Sequence, residues 1–165
     1  MPMTRSAAMP VDPDLREWLL GAVPALRAFA HSLTDDDARG DNLVQDTLLH
    51  AWTGAGGIAR EQVTAWLFGL LRARFYAEPR LPPSRWDEAC PVARRSDPRV
   101  EAVQFREALR RLPDPQREAL ILVGGQHFSY GEAAAICGVA VGTLKSRVRR
   151  ARARLAAELD RLAQP

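Results

Sequence analysis

Cysteine and histidine are scarce in this chain. It has only 2 cysteines, Cys90 and Cys137, which lie far apart and belong to no CxxC pair, and its 3 histidines are scattered. Structural zinc sites and disulfide frameworks require such residues at close, regular spacings. We therefore expect no metal, no cofactor and no disulfide, and two reduced thiols.

Long apolar runs are also missing from the sequence. No stretch reaches the roughly 18 consecutive apolar residues of a membrane-spanning helix. Residues 1–14, "MPMTRSAAMPVDPD", lack the apolar core of a signal peptide. These absences predict a soluble, cytoplasmic protein without a membrane partner.

Motifs of common enzyme classes are absent as well. The chain has no P-loop, no HExxH and no nucleophile elbow, and the glycines at 54–57 lack the Lys-Ser/Thr pair of a phosphate-binding loop. Enzymatic activity is therefore not expected.

The sequence shows helical periodicity throughout and no sustained alternation of period two. Apolar residues recur at spacings of three and four over 15–33, 41–52 and 60–77, and again after Val100. Pro24 is expected to break or kink the first helix, and the acidic "TDDDARGD" that follows it is expected to form a loop. The pattern predicts an all-α fold.

A proline-rich stretch divides the chain. Five prolines fall within residues 79–98, where the periodicity is lost. We expect two small helical domains, 12–80 and 100–162, joined by a flexible linker at 81–99.

Charge is unevenly distributed between these parts. The net charge is only +3, but the first third is rich in aspartate and the last 25 residues are strongly basic. Six cations occupy the ten positions from Lys145 to Arg154. This asymmetry indicates a nucleic-acid-binding C-terminus and a different partner for the N-terminal part.

The basic segment is the second helix of a predicted helix-turn-helix. A helix over 114–123 is expected to start with Asp114 as its cap and to end at Gly124-Gly125. Ser129 and Glu132 have the spacing of a capping box, which starts the next helix, and Gly138 ends it. The basic helix then begins near Val141, so the last two helices form a helix-turn-helix. Lys and Arg neutralise phosphates, while Ser, Thr and a helix N-terminus bind phosphate oxygens. If about five cations contact phosphates, log affinity falls against log salt with a slope of roughly −4 to −5.

Four segments, in order, resemble the extracytoplasmic-function (ECF) branch of the bacterial sigma-70 family. "DNLVQDTLLHAW" (41–52) and "AWLFGLLRARFY" (65–76) resemble sigma domain 2, and "LRRLPDPQREALIL" (109–122) and "GTLKSRVRRARARL" (142–155) resemble sigma domain 4. The sequence is most similar to the general-stress-response group. The resemblance implies a helical bundle followed by a helix-turn-helix.

The resemblance also implies a function, partners and site residues. A sigma factor binds the β′ and β subunits of core RNA polymerase, recognises promoter DNA and is commonly held inactive by an anti-sigma factor; we expect a monomer when these are absent. The residues implied to bind core polymerase are Asp41, Leu43, Gln45 and Asp46. Those implied to bind the −35 element are Thr143, Lys145, Ser146, Arg147, Arg149, Arg150 and Arg152. Those implied to bind the −10 element are Arg60, Arg72, Arg74, Tyr76 and Arg80.

The −10 region departs from the family pattern. Ala73 stands where the family usually has asparagine, and prolines follow where relatives have a basic run. These departures indicate an unusual promoter preference or weak activity at the −10 element.

Two other functions remain compatible with the sequence. One is a sigma-like decoy that binds an anti-sigma factor without activating transcription. The other is an ordinary helix-turn-helix regulator whose N-terminal part dimerises or binds an effector. Cys137, inside the helix-turn-helix, is expected to be a core residue; a redox effect on DNA binding is the alternative.

Overall fold

The protein is an assembly of α-helices. The computed structural model describes residues 13–34, 36–54, 58–78 and 98–163, and these contain no strand. The first three helices are α1 (Pro13–Leu33), α2 (Asp37–Gly54) and α3 (Arg60–Ala77). The others are α4 (Pro98–Arg110), α5 (Asp114–Leu120), a π-helical turn (Ile121–Gly125), α6 (Tyr130–Cys137) and α7 (Val141–Ala163). The all-α prediction is confirmed.

The first helices differ in part from two expectations. Pro24 lies inside α1 without ending it, because Leu26, Phe29 and other apolar residues of that helix are held in the core. The second helix begins at Asp37, so the acidic segment is only partly a loop. The Asp36 carboxylate accepts from the Ala38 N–H at 2.7 Å and satisfies a free donor of the first turn.

Helix α5 also differs from its prediction. Its N-cap is Pro113 and not Asp114, whose carboxylate instead pairs with Arg117 at 2.9 Å. The α-helix itself ends at Leu120, and a π-helical turn continues it to Gly125, so the helical segment ends at the predicted glycine pair. The Gln126 N–H donates to the Ile121 carbonyl at 2.9 Å, which closes the wider turn.

The N-terminal half (α1–α3) and the C-terminal half (α4–α7) share one hydrophobic core. Phe68 of α3 is 1% exposed, and its ring centroid lies 5.1 Å from that of Phe29 in α1 and 5.0 Å from that of Phe128. A guanidinium N–H of Arg117 donates to the Leu33 carbonyl at 3.0 Å. The predicted linker lies almost entirely outside the described residues, yet the two halves pack closely against each other.

None of the described helices is long and apolar enough to cross a membrane. Within the same residues, no group of three or more His, Cys, Asp or Glu is arranged to hold a metal ion.

Candidate nucleic-acid and polymerase interfaces

The helix-turn-helix is built as the sequence predicts. The Ser129 hydroxyl accepts from the Glu132 N–H at 3.2 Å, and the Glu132 carboxylate accepts from the Ser129 N–H at 2.8 Å. Hydrogen bonds of the Glu132 carboxylate with the Ser129 side chain, and then with the Ser129 backbone N–H, hold the pKa of Glu132 below its ordinary value. The capping box therefore fixes the start of α6.

The turn between α6 and α7 depends on Gly138. Its φ is 63°, in the left-handed region where a Cβ is unfavourable. The Val139 N–H donates to the Ala134 carbonyl at 3.0 Å and closes the end of α6. Ala134 is buried where the two helices cross. The turn thus sets the direction in which α7 leaves the core.

Helix α7 has one buried face and one basic face. Leu144, Val148 and Ala151 are buried and hold the helix to the core. The predicted −35 residues that lie exposed on its other side are Thr143, Lys145, Arg149, Arg150 and Arg152. The remaining two, Ser146 and Arg147, are half-buried. Most of the predicted set therefore forms one continuous surface at the N-terminal part of α7.

The structure separates the four residues predicted to bind core polymerase. Gln45 and Asp46 are exposed on α2, whereas Leu43 is 1% exposed and belongs to the core. The Asp41 carboxylate accepts from Arg27 at 3.0 Å and contacts a ring nitrogen of His31 at 2.8 Å. The Asp41 carboxylate thus joins α2 to α1, Leu43 packs in the core, and Gln45 and Asp46 are the two that are exposed.

An apolar surface beside Gln45 was not predicted from the sequence. Gln45, Leu48, Leu49 and Trp52 line a shallow groove on α2. Leu49 is 66% exposed and Trp52 45% exposed. The helical period puts Leu48 and Trp52 on the same side of α2 as its buried apolar residues, but this apolar face is wider than the neighbouring helices cover. The signal available in the sequence was that Leu48 and Leu49 are adjacent and cannot share one narrow face.

We expect the contribution of Asp41 to stability to depend on pH. Its hydrogen bonds from His31 and Arg27 hold its pKa below the ordinary value. A carboxylate with a lowered folded-state pKa stabilises the fold above its unfolded pKa of about 3.9 and loses that contribution as the pH falls through the folded-state value. Asp41→Asn should therefore destabilise the protein at pH 7, measured by urea denaturation, and the difference should shrink below about pH 4. Asp160→Asn, on an exposed site of α7, is the control; equal effects of both substitutions would contradict this assignment.

The residues predicted to contact the −10 element lie in different surroundings. Arg72 forms an ion pair with Glu118, and the Tyr76 hydroxyl donates to the same carboxylate at 3.3 Å. Arg74 contacts Asp46 at 3.6 Å and also lies against His50, all within the N-terminal half. Arg60 is the first residue of α3, and Arg80 lies outside the described residues. The structure thus places two of the five at the junction of the halves.

Burial dominates the electrostatics of that junction. It raises the pKa of Glu118, against the opposing effect of Arg72. Burial, together with the charge of Glu118, raises the pKa of Tyr76 to about 12. Both shifts follow mainly from the cost of removing a charge from water, which is complete for Glu118 and partial for Tyr76.

Cys137 is expected to be chemically unreactive in the folded protein. Burial, followed by the charge of Glu118, raises the pKa of its thiol to about 12. In a Cys90→Ser variant, Cys137 should react with a disulfide reagent at pH 8 at least about 10³-fold more slowly than an exposed cysteine of pKa near 8.5. The urea-unfolded variant is the control and should react fast. A fast reaction of the folded variant would favour the redox alternative over core packing.

Two known protein families match the two halves of the chain. Residues 102–155 match the family described as Sigma-70, region 4, and residues 19–72 match the Sigma2 domain of PhyR. The ECF RNA polymerase sigma factor EcfG of Rhodopseudomonas palustris is 47% identical over 159 residues, which cover 92% of this chain and 88% of that protein. The chain is an ECF RNA polymerase sigma factor. The ECF sigma factor SigM of Mycobacterium tuberculosis is 38% identical and is covered over 65% of its length.

Solved structures of sigma factors share the fold. The sigma factor RpoE of Bartonella quintana, in complex with the anti-sigma factor NepR, superposes with a TM-score of 0.71 at 37% identity, over 93% of this sigma factor and all of that chain. CnrH, in complex with the cytosolic domain of CnrY, superposes with a TM-score of 0.68 at 28% identity, over 88% of this sigma factor and 87% of that chain. The family predicted from the four motifs is confirmed. Sigma factors are DNA-binding initiation factors and not enzymes in the usual sense.

Proposed function

We propose that this sigma factor uses separate surfaces of its two halves for polymerase and promoter. The exposed face of α2 binds core RNA polymerase, the basic face of α7 binds the −35 element, and α3 contributes to the −10 element. The observation that carries this proposal is the exposed basic face that directly follows the Gly138 turn. The domains corresponding to these roles are 12–80 and 100–162, with 81–99 as the linker.

The polymerase surface consists of the polar pair Gln45 and Asp46 with Leu49 and Trp52 beside it. Exposed aromatic and aliphatic side chains next to a groove are typical centres of protein interfaces. An acidic side chain at the same site favours a basic partner and repels DNA. Buried Leu43 supports this surface from within the core.

Substituting a charged residue for an apolar one in the groove tests this surface. Leu49→Asp should weaken binding to purified core polymerase by about 30-fold, the effect of losing one strong interface contact. Leu20→Asp is a matched control, because Leu20 is 60% exposed on α1, away from the groove. Binding is measured by competition for core polymerase. Equal weakening by both variants would contradict the proposed surface.

Regulation by an anti-sigma factor is part of the proposal. Two structural relatives were solved in complex with anti-sigma factors, NepR and CnrY. We infer that a NepR-type protein binds this chain and competes with core polymerase. Co-elution of the two purified proteins, with loss of core binding, is the expected result; co-elution without competition would contradict the inference.

A second candidate function is a decoy that binds an anti-sigma factor without directing transcription. It is favoured by the match of residues 19–72 to the Sigma2 domain of PhyR, because the PhyR of Bartonella quintana was solved as an anti-anti-sigma factor in complex with the anti-sigma factor NepR. A decoy has no need of the basic face on α7, which favours the sigma factor. Transcription with purified core polymerase distinguishes the two functions, because a sigma factor yields promoter-specific transcripts and a decoy yields none.

A further inference from the structure

Tyr130, the first residue of α6, lies beside the basic face of α7. The Lys145 ammonium lies over the Tyr130 ring, 5.7 Å from its centroid. Tyr130 is half-buried and packs against the hydrophobic core, whereas Lys145 is exposed. A cation over the face of a tyrosine ring is attracted by the ring quadrupole. The contact therefore joins a core-anchored aromatic residue of the first helix of the helix-turn-helix to an exposed cation of the second.

The backbone on both sides of this contact is held in place. The reciprocal hydrogen bonds between Ser129 and Glu132 fix the first turn of α6, which carries the Tyr130 ring. Leu144, the neighbour of Lys145, has 0% exposure and holds the start of α7 against the core. A tyrosine side chain also has few rotatable bonds. The Lys145 side chain is thus the flexible member of the pair, and the ring is its fixed support.

Lys145 is the only lysine of the chain, and all other basic residues of the Lys and Arg type are arginines. Lysine carries its charge on a flexible hydrocarbon stem, and ordering such a side chain on binding lowers affinity. A ring that holds the ammonium in advance reduces this cost. The ring occupies one side of the ammonium, so N–H donors remain for acceptors on DNA. Arg150 is oriented differently, because its Nε donates to the Ser146 carbonyl of its own helix at 3.3 Å.

We propose that Tyr130 is a positioning residue of the −35 surface, which holds the Lys145 ammonium in place for promoter DNA. Tyr130 acts through Lys145 and was not among the residues predicted to bind DNA. The inference rests on the proposed function, since it adds Tyr130 to the surface on α7 that binds the −35 element. The contact itself is a property of the free protein and is measured without DNA.

NMR of the free, full-length protein tests the contact. Labelling with 13C-lysine gives one set of lysine signals, because the chain has a single lysine. The ring current of Tyr130 should shift the Cε protons of Lys145 upfield of those in the urea-unfolded protein. Tyr130→Leu should abolish this shift, and Tyr130→Phe should retain it because the ring is kept. Absence of the shift in the folded wild-type protein would overturn the proposal.

Fluorescence anisotropy with a labelled genomic promoter fragment tests the positioning role. Tyr130→Leu should weaken binding about threefold, the size of one exposed cation–π contact, and Tyr130→Phe should bind as wild type does. In a Lys145→Ala background, Tyr130→Leu should cause no further loss, because the residue through which it acts is absent. Phe105→Leu is the matched control, since Phe105 is an exposed aromatic residue of α4 outside the basic face. Circular dichroism confirms that the variants are folded.

The double variant decides between positioning and a purely structural role. An equal loss from Tyr130→Leu with and without Lys145 would overturn the proposal, because the ring would then stabilise the helix-turn-helix as a whole. Arg149→Ala/Arg150→Ala on the same fragment identifies failure of the proposed function. If this variant weakens binding and Tyr130→Leu does not, the positioning role alone is wrong; if neither weakens binding, the −35 surface is wrong as well.

Discussion

Phe68→Ala is expected to lower the free energy of unfolding by about 3–5 kcal/mol, the usual cost of truncating a buried phenylalanine. Phe68 is 1% exposed and lies between Phe29 of α1 and Phe128 of the C-terminal half. The substitution leaves a cavity and removes two aromatic contacts, each of about 0.5–1.5 kcal/mol. Urea denaturation followed by circular dichroism measures the loss.

Phe105→Ala provides the matched control for this measurement. Phe105 is 46% exposed on α4, so the same change of residue should cost less than about 1 kcal/mol. Equal losses for the two variants would show that Phe68 is not at the centre of a core shared by both halves.

Arg149→Ala/Arg150→Ala is expected to weaken binding to duplex promoter DNA by about 10²-fold at 0.1 M salt, since about two phosphate contacts are lost. Both side chains are exposed on the basic face of α7. The slope of log affinity against log salt should change from about −4 to −5 in wild type to about −2 to −3 in the variant. Fluorescence anisotropy with a labelled genomic promoter fragment, over a series of salt concentrations, measures both quantities.

The control for this variant lies on the same helix. Arg161→Ala removes a cation near the C-terminal end of α7, where Arg161 pairs with Glu158. It should change neither the affinity nor the slope appreciably. Loss of affinity with an unchanged slope in Arg149→Ala/Arg150→Ala would mean that these arginines do not contact phosphates.

Features set by neighbouring residues were predictable from the sequence. The Ser129–Glu132 capping box and the left-handed Gly138 depend on a few adjacent residues, so their patterns predict them directly. The same holds for the buried and basic faces of α7, since a single helical period fixes both. These elements make up the proposed −35 surface.

The junction of the halves was not predictable in the same way. Tyr76 and Glu118 are 42 residues apart, and no local pattern marks Glu118 as buried. Its neighbour Arg117 is also buried, but its counter-charge is Asp114 of the same helix. The charge of Glu118 is compensated by a partner from another helix, Arg72, and the sequence does not specify which helices meet.

The surface of α2 shows a second limit of periodicity. A helical period indicates which residues share a face, but it does not show how far the neighbouring helices cover that face. Leu43 was predicted to bind polymerase and is buried, whereas Trp52, at the helical spacing of the apolar face, is exposed. The helix start at Asp37 was missed because the acidic residues before Asp41 have no apolar period.

This chain is expected to direct RNA polymerase to promoters, and run-off transcription measures that directly. Purified core polymerase and genomic promoter fragments are used in the presence and absence of the protein. Transcripts from defined start sites should require the protein and disappear with Arg149→Ala/Arg150→Ala. Binding to core polymerase without any such transcript would favour the decoy, and absence of core binding would exclude sigma activity.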